Sequence, residues 1–190
     1  MDAQVLAALA RWPNVPAVYG WLGLTARGEW RLRGERIGNA ALRQFIGRNY
    51  GCDERGAWFF QNGPQRVFVA LEATPWIYRL GLEATLATHT GALPVQVCGA
   101  ALLDDGRFAL LTDLGGGLVD DRDAAAFVQM LTDIEGLPLS EPGLERWLDG
   151  RDEAFLDPAR LGVGGAPLRV ARLRLAELPA RYGYLPDPAP

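Results

Sequence analysis

One histidine, two cysteines and a scatter of carboxylates are the side chains that could carry chemistry in this sequence. His89 lies in Thr85-Leu86-Ala87-Thr88-His89-Thr90. As the sole imidazole it is the candidate catalytic base near neutral pH. No serine or cysteine stands at a family-specific spacing from it, and the plainer reading is a loop imidazole bonded to local backbone. Cys52 and Cys98 could join His89 around a metal, but without a C-x-x-C pair the sequence favours two reduced, buried structural thiols. The aspartates Asp104, Asp105, Asp113, Asp120, Asp121 and Asp123 invite a divalent-ion reading. A strand rises about 3.3 Å per residue, so Asp113 is about 25 Å from the turn at Asp104-Asp105. Only Asp113, Asp120, Asp121 and Asp123 remain as weak metal candidates, with oxygens suited to calcium or magnesium. The competing role is to cap a helix and complement its dipole.

Gly115-Gly116-Gly117 ahead of a helix has the flavour of a phosphate loop, but aspartates flank it and the G-x-G-x-x-G spacing is absent. Of six tryptophans, Trp30 and Trp147 face inward by pattern. Trp76 and Tyr78 follow a strand break at Pro75 and form the best partly exposed aromatic pair. With Glu72 and Arg79 they make a candidate ligand cleft or subunit interface. Arg31, Arg33, Arg172 and Arg174 read as a solvated face rather than an anion site.

Composition removes several chemistries. All 19 basic residues are arginine, so a Schiff-base lysine, a pyridoxal anchor and a Walker lysine are excluded. A single histidine excludes multi-histidine zinc sites. Hydrophobic content of 49% and charged content of 22% over 190 residues suit a soluble chain with a proper core. The net charge of −4, with no polybasic run, opposes nucleic acid and acidic membranes. Asp2 precedes no basic-then-apolar leader, and Ala84 to Leu103 carries too much Thr, Gly and Pro to span a bilayer, so the expectation is a cytoplasmic protein.

The elements that must position these residues are organised around Gly28 to Arg79. Glu29 to Arg33 alternates as a half-buried strand with Trp30 and Leu32 on one face. Asn39 caps a helix with Leu42, Phe45 and Ile46 on one stripe, and Asn49-Tyr50-Gly51 supplies a left-handed stop. Ala57 to Gln61 and Gln65 to Ala73 form a hairpin across Asn62-Gly63-Pro64. Before this stretch come a short helix over Ala3 to Ala10 and a strand over Val15 to Thr25, interrupted and bulged at Gly20. After it, Trp76 to Glu83 continues as a strand with Trp76, Tyr78, Leu80 and Leu82 on one side. Arg122 to Glu135 reads as a helix with Phe127, Met130, Leu131 and Ile134 on its stripe. Ser140 caps a helix over Glu141 to Asp149 with Leu144, Trp147 and Leu148 inward. Asp157-Pro158 starts one turn ended by Gly162, Leu168 to Leu175 is a strand, and Leu185 to Pro190 is a mobile tail.

The pattern repeats. An offset of 78 lays Pro94 on Pro16, Gly106 on Gly28, Phe108 on Trp30 and Leu110 on Leu32, and Leu168-Arg169-Val170 takes the place of Gln65-Arg66-Val67. The fold class is therefore α+β: two related halves, 1–90 and 91–190, each a mostly antiparallel curved sheet with a packed helix. Internal duplication is the favoured reading over two unrelated segments that share turn chemistry.

The pattern of Gly28-x-Trp30, Ile37, Leu42-x-x-Phe45, Gly56-x-Trp58, Val67-x-Val69-x-Leu71-Glu72 and Pro75 resembles a family of proteobacterial domains of unknown function, over about residues 28–79. The resemblance implies a bacterial α+β protein and brings no activity or catalytic residue. The expectation is a non-catalytic binding or assembly module, a homodimer without cofactor. The alternative is a small enzyme using His89 with Glu72 or Asp113, Asp120 and Asp121, with or without a divalent ion.

Overall fold

The computed structural model describes residues 1–81 and 84–190. Leu82, expected on the inward face of a strand, lies outside them. Among the described residues the chain makes two sheets in two contact units. One unit comprises Met1–Pro75, His89–Gly91 and Pro179–Pro190, and the other Trp76–Thr88 and Ala92–Leu178. They interleave along the chain, unlike the single division at 90/91 expected from the sequence.

In the first unit, α1 (Ala3–Arg11) precedes β1 (Val18–Leu24), β2 (Trp30–Leu32) and β3 (Glu35–Arg36). Then follow α2 (Ala40–Arg48), β4 (Tyr50–Cys52), β5 (Trp58–Asn62) and β6 (Gln65–Leu71). The sheet order is β3-β2-β1-β6-β5-β4, antiparallel except where β1 meets β6. Leu22, Leu24, Trp30, Val69 and Leu71 are buried, and the registers put them on one face. That face is the alternation read in the sequence. Phe45 of α2 meets Phe60 edge-on at 5.4 Å. Asn39 caps α2 through Leu42 N at 3.1 Å. The helix ends without a left-handed residue: Asn49 has φ −113°, its side chain donates to Phe45 O, and Tyr50 and Gly51 already belong to β4. Strand pairing with β5 overrode the glycine signal.

In the second unit, β7 (Trp76–Leu80) and β8 (Leu86–Thr88) form an antiparallel pair. Next come β9 (Val97–Leu103), β10 (Phe108–Thr112), β11 (Gly115–Val119), α3 (Ala124–Val128) and β12 (Leu131–Thr132). Last are α4 (Glu141–Leu148), β13 (Phe155–Leu156) and β14 (Leu168–Leu173); α5 (Leu178–Tyr182) follows, and from Pro179 the chain belongs to the first unit. The sheet order is β12-β13-β14-β9-β10-β11-β7-β8. Three sequence expectations fail here. The triple glycine is strand β11, not a loop. The helix expected over Arg122 to Glu135 shrinks to α3, because Leu131 pairs with Leu156 in a ladder and Ile134 is 80% exposed in the turn that follows. Leu148 is exposed on α4 while Trp147 is buried.

Without its β7–β8 hairpin, the second sheet repeats the first strand for strand. β11-β10-β9-β14-β13-β12 matches β3-β2-β1-β6-β5-β4, with the same parallel pair at the centre. Registers agree as well. Leu24 opposes Trp30 as Leu102 opposes Phe108, and Leu22 opposes Val69 as Ala100 opposes Val170. Val170 thus takes the place of Val69 rather than of Val67, a shift of two residues that leaves the inward face unchanged.

Candidate functional site

Of the candidate metal aspartates, Asp113, Asp120 and Asp123 each hold groups of the chain itself. Asp113, after β10, accepts from the backbone amides of Val95 and Gln96 at 2.9 and 3.0 Å. Asp123 accepts from Leu80 N at 3.0 Å. Asp120, 1% exposed, receives Arg79 Nε at 3.0 Å and Arg122 Nε at 2.8 Å. Burial alone would push its carboxyl up. The hydrogen bonds from the Arg122 side chain and backbone, with the charges of Arg122 and Arg79, outweigh that and hold it at about 2. Asp121 is exposed beside them. Among the described residues no three His, Cys, Asp or Glu side chains gather at one point.

The residues expected to line a cleft are divided between the units. Glu72, in the first, accepts from Ala26 N at 3.2 Å. Trp76, Tyr78 and Arg79 lie on β7 in the second, and Arg79 is committed to Asp120. Trp76 and Tyr78 are buried, not partly exposed. Trp76 Nε1 donates to Leu114 O at 2.7 Å, and the Tyr78 hydroxyl meets Thr112 Oγ1 at 2.8 Å and donates to Gly115 O at 2.7 Å. Both rings lie across β11, which explains its composition. A Cβ on Gly117 would fall 2.6 Å from the Tyr78 ring and 2.5 Å from Trp76 O.

His89 is half-buried, its ring 5.4 Å from Trp30 and 6.1 Å from Tyr50. Tyr50 also meets Trp30 at 5.1 Å and Trp58 at 4.8 Å, and its hydroxyl donates to Pro75 O. Burial first, and then Cys52 nearby, push the Tyr50 phenol well above its ordinary value. Cys52 and Cys98 are free cysteines, and both are exposed rather than buried as expected. Partial burial and the charge of Asp53 push the Cys52 thiol up, so it stays protonated and is a poor nucleophile.

The corner of the first sheet where β1, β2 and β3 meet presents a different chemistry. Val18 opposes Val67 and Leu22 opposes Val69, so Tyr19, Gly20 and Trp21 bulge out of the ladder around a left-handed Gly20. Tyr19 stacks on Phe68 at 4.6 Å. Trp21 remains 48% exposed, with the Arg33 guanidinium 3.9 Å over its ring. Arg31, Arg33 and Arg36 are exposed alongside. At the places of Trp21, Arg31 and Arg33 the second sheet has Gly99, Ala109 and Leu111, so the first sheet alone carries this surface. Charge divides the same way. The first unit holds ten arginines against seven acids, net +3, and the second nine against sixteen, net −7. Whole-chain charge hid that contrast. Counting by segment, together with the Trp21 alternation, would have revealed it. In the second unit, Ile134, Leu137, Arg146 and Asp152 help line an open groove of about 620 Å³, where Arg146 is paired with Asp152 at 2.7 Å.

No helix among the described residues is long and apolar enough to cross a membrane. No curated protein matches the chain. Among solved structures it is similar to the crystal structure of a DUF1285 family protein from Silicibacter pomeroyi DSS-3. The identity is 16% and the TM-score 0.49, over 77% of this chain and 100% of that one. The resemblance read between residues 28 and 79 extends across the molecule: a family model matches residues 1–189, and the chain belongs to that family, DUF2944, described as "Protein of unknown function (DUF2946)".

Proposed function

We propose that this chain is a cytoplasmic, non-catalytic binding module whose contact surface is the corner formed by Tyr19, Trp21, Arg31 and Arg33. The carrying observation is the exposed Trp21 ring under the Arg33 guanidinium, on the sheet of the net-positive unit. Tryptophan, tyrosine and arginine release the most free energy per residue when an interface closes over them. A guanidinium already stacked on a ring loses less conformational entropy on meeting a carboxylate. The partner class is therefore one that presents carboxylates. The matched strand orders and registers support a further reading, that the two sheets are copies of one ancestral unit, of which the first carries the surface.

The enzyme alternative has one observation in its favour, the half-buried imidazole of His89 between Trp30 and Tyr50. Its suggested carboxylates have other work: Asp113 holds two amides and Asp120 two arginines. The test of the binding reading is calorimetric titration of the full chain with poly-glutamate at low salt. Binding should weaken at least tenfold in Trp21→Ala and in Arg33→Ala, while His89→Ala leaves it unchanged. Equal binding by wild type and both corner variants would overturn it.

A further inference from the structure

The second sheet shows what an edge of this fold can accept. On β11, β7 adds as a parallel strand: Gly117 faces Trp76, Leu118 faces Ile77, and Asp120 N donates to Tyr78 O at 2.8 Å. The matching edge in the first sheet is β3, which ends the strand order and has no strand on its outer side among the described residues. The shared β2/β10 register sets Glu35 at the place of Gly117, Arg36 at that of Leu118 and Gly38 at that of Asp120.

The backbone of β3 is prepared in the same way. Arg33 (φ 50°) and Gly34 (φ 85°) are both left-handed, as the two central residues of a type I′ hairpin turn are. Leu32 and Glu35 therefore close the hairpin as a hydrogen-bonded pair, and Ile37 N donates to Trp30 O at 2.9 Å. Arg36 lies between these two pairs, so its N–H and C=O point away from β2. Glu35, Arg36 and Gly38 are exposed.

We propose that the β3 edge takes an extended acidic segment of a partner protein as an added parallel strand, seated against the Trp21–Arg33 corner. This rests on reading that corner as the binding surface and adds the partner's form. Strand addition supplies affinity through main-chain hydrogen bonds and specificity through alternate side chains. The residue opposite Arg36, in the role Ile77 plays on β11, points to the side of Arg31 and Arg36, where two guanidiniums face the single carboxylate of Glu29, paired with Arg36 at 3.2 Å, and is the acidic one. Its neighbours cannot be large aromatics like Trp76 and Tyr78, because β3 carries Glu35 where β11 has the glycine that admits those rings. A second copy pairing antiparallel through Arg36 would set like charges opposite each other, which is destabilising. The short, charged strand thus rejects its own kind while admitting the opposite sign.

The test is selection of random heptapeptides displayed on phage against the full chain, followed by titration of the synthesised winners. Winners should combine β-branched residues with a central Asp or Glu and protect the Arg36 and Gly38 amides from hydrogen exchange. Binding should fall at least tenfold in Arg36→Pro, which deletes the outward N–H. Arg36→Glu keeps the backbone edge and should turn the preference towards a central Lys or Arg, which guards against misfolding of the proline variant. Winners without charge bias, or with protection elsewhere, would overturn the proposal. So would self-association in sedimentation that Arg36→Pro abolishes, since it gives the edge to a second copy. If no peptide is enriched while poly-glutamate still depends on Trp21, strand addition fails and the binding corner stands; loss of both removes both.

Discussion

Two guanidinium groups meet one buried carboxylate at Asp120, and that arrangement has a pH signature. The folded-state value is about 2, below the ordinary 3.8. The stabilisation is therefore complete above pH 4 and is lost as pH falls from 4 towards 2. The Arg79 and Arg122 side chains are 41% and 60% exposed, so solvent screening reduces it to roughly 1–2 kcal/mol. Urea unfolding at pH 5.5 and pH 2.5 should show that the stability gap between wild type and Asp120→Asn narrows at the lower pH; a gap independent of pH would remove the ion pair from the account. Arg33 makes the opposite kind of prediction. A left-handed arginine is strained where Asn tolerates the conformation, so Arg33→Asn should stabilise the hairpin by about 0.5–1 kcal/mol. The same change removes the cation over Trp21, so binding should weaken while the melting temperature rises. A fall in both would mean that Arg33 holds the turn together.

Among the elements, β11 shows how packing selects residues that local propensity would not. Three consecutive glycines make a poor strand on entropy grounds. They are retained because Trp76 and Tyr78 lie across them, with their polar atoms satisfied by Leu114 O, Gly115 O and Thr112. Gly117→Ala should cost about 2–3 kcal/mol by overpacking. Gly99→Ala, whose added Cβ would sit an ordinary 3.4 Å from Leu111, should cost under about 0.5 kcal/mol. Equal costs in thermal unfolding would mean that β11 relaxes away from the rings. This element was illegible in the sequence because its warrant sits some forty residues upstream on β7. The helix over-extended through Leu131 and Ile134 failed for a related reason: a 3.6-residue period in Phe127, Met130, Leu131 and Ile134 was real, but pairing between Leu131 and Leu156 took the chain. Where the partner was local, as at the Asn39 cap, the Gly63-Pro64 hairpin and the turn ended by Gly162, sequence and structure agree.

At the scale of the molecule, the likeness of the β1–β2 and β9–β10 hairpins was legible through the 78-residue offset because hairpin registers are fixed by turns a few residues long. Unit membership was not, because it depends on where the chain returns. The C-terminal segment, expected to be mobile from its prolines, is built into the first unit. Leu71 N donates to Pro186 O at 2.7 Å, Leu185 N to Gly56 O at 2.8 Å, and the Tyr184 hydroxyl to Ala73 O at 2.9 Å. Tyr184 is buried, and the carbonyl of Gly183 closes over Gly56 so tightly that a Cβ there would meet it at 2.5 Å. Each hydrogen bond contributes about 1 kcal/mol and the buried ring about as much again, so removing residues 184–190 should destabilise the first unit by about 3–4 kcal/mol. The loss should be local. Native-state hydrogen exchange should show faster exchange at Leu71 and Leu24 in the first sheet, with Leu110 and Leu118 in the second holding their protection. Equal loss in both sheets would mean that the units unfold as one cooperative body, and unchanged exchange at Leu71 would mean that the tail is no clamp. Because β6 is central to the sheet that carries β1, β2 and β3, the truncated chain should also bind poly-glutamate more weakly, although none of the deleted residues lies at the Trp21 corner.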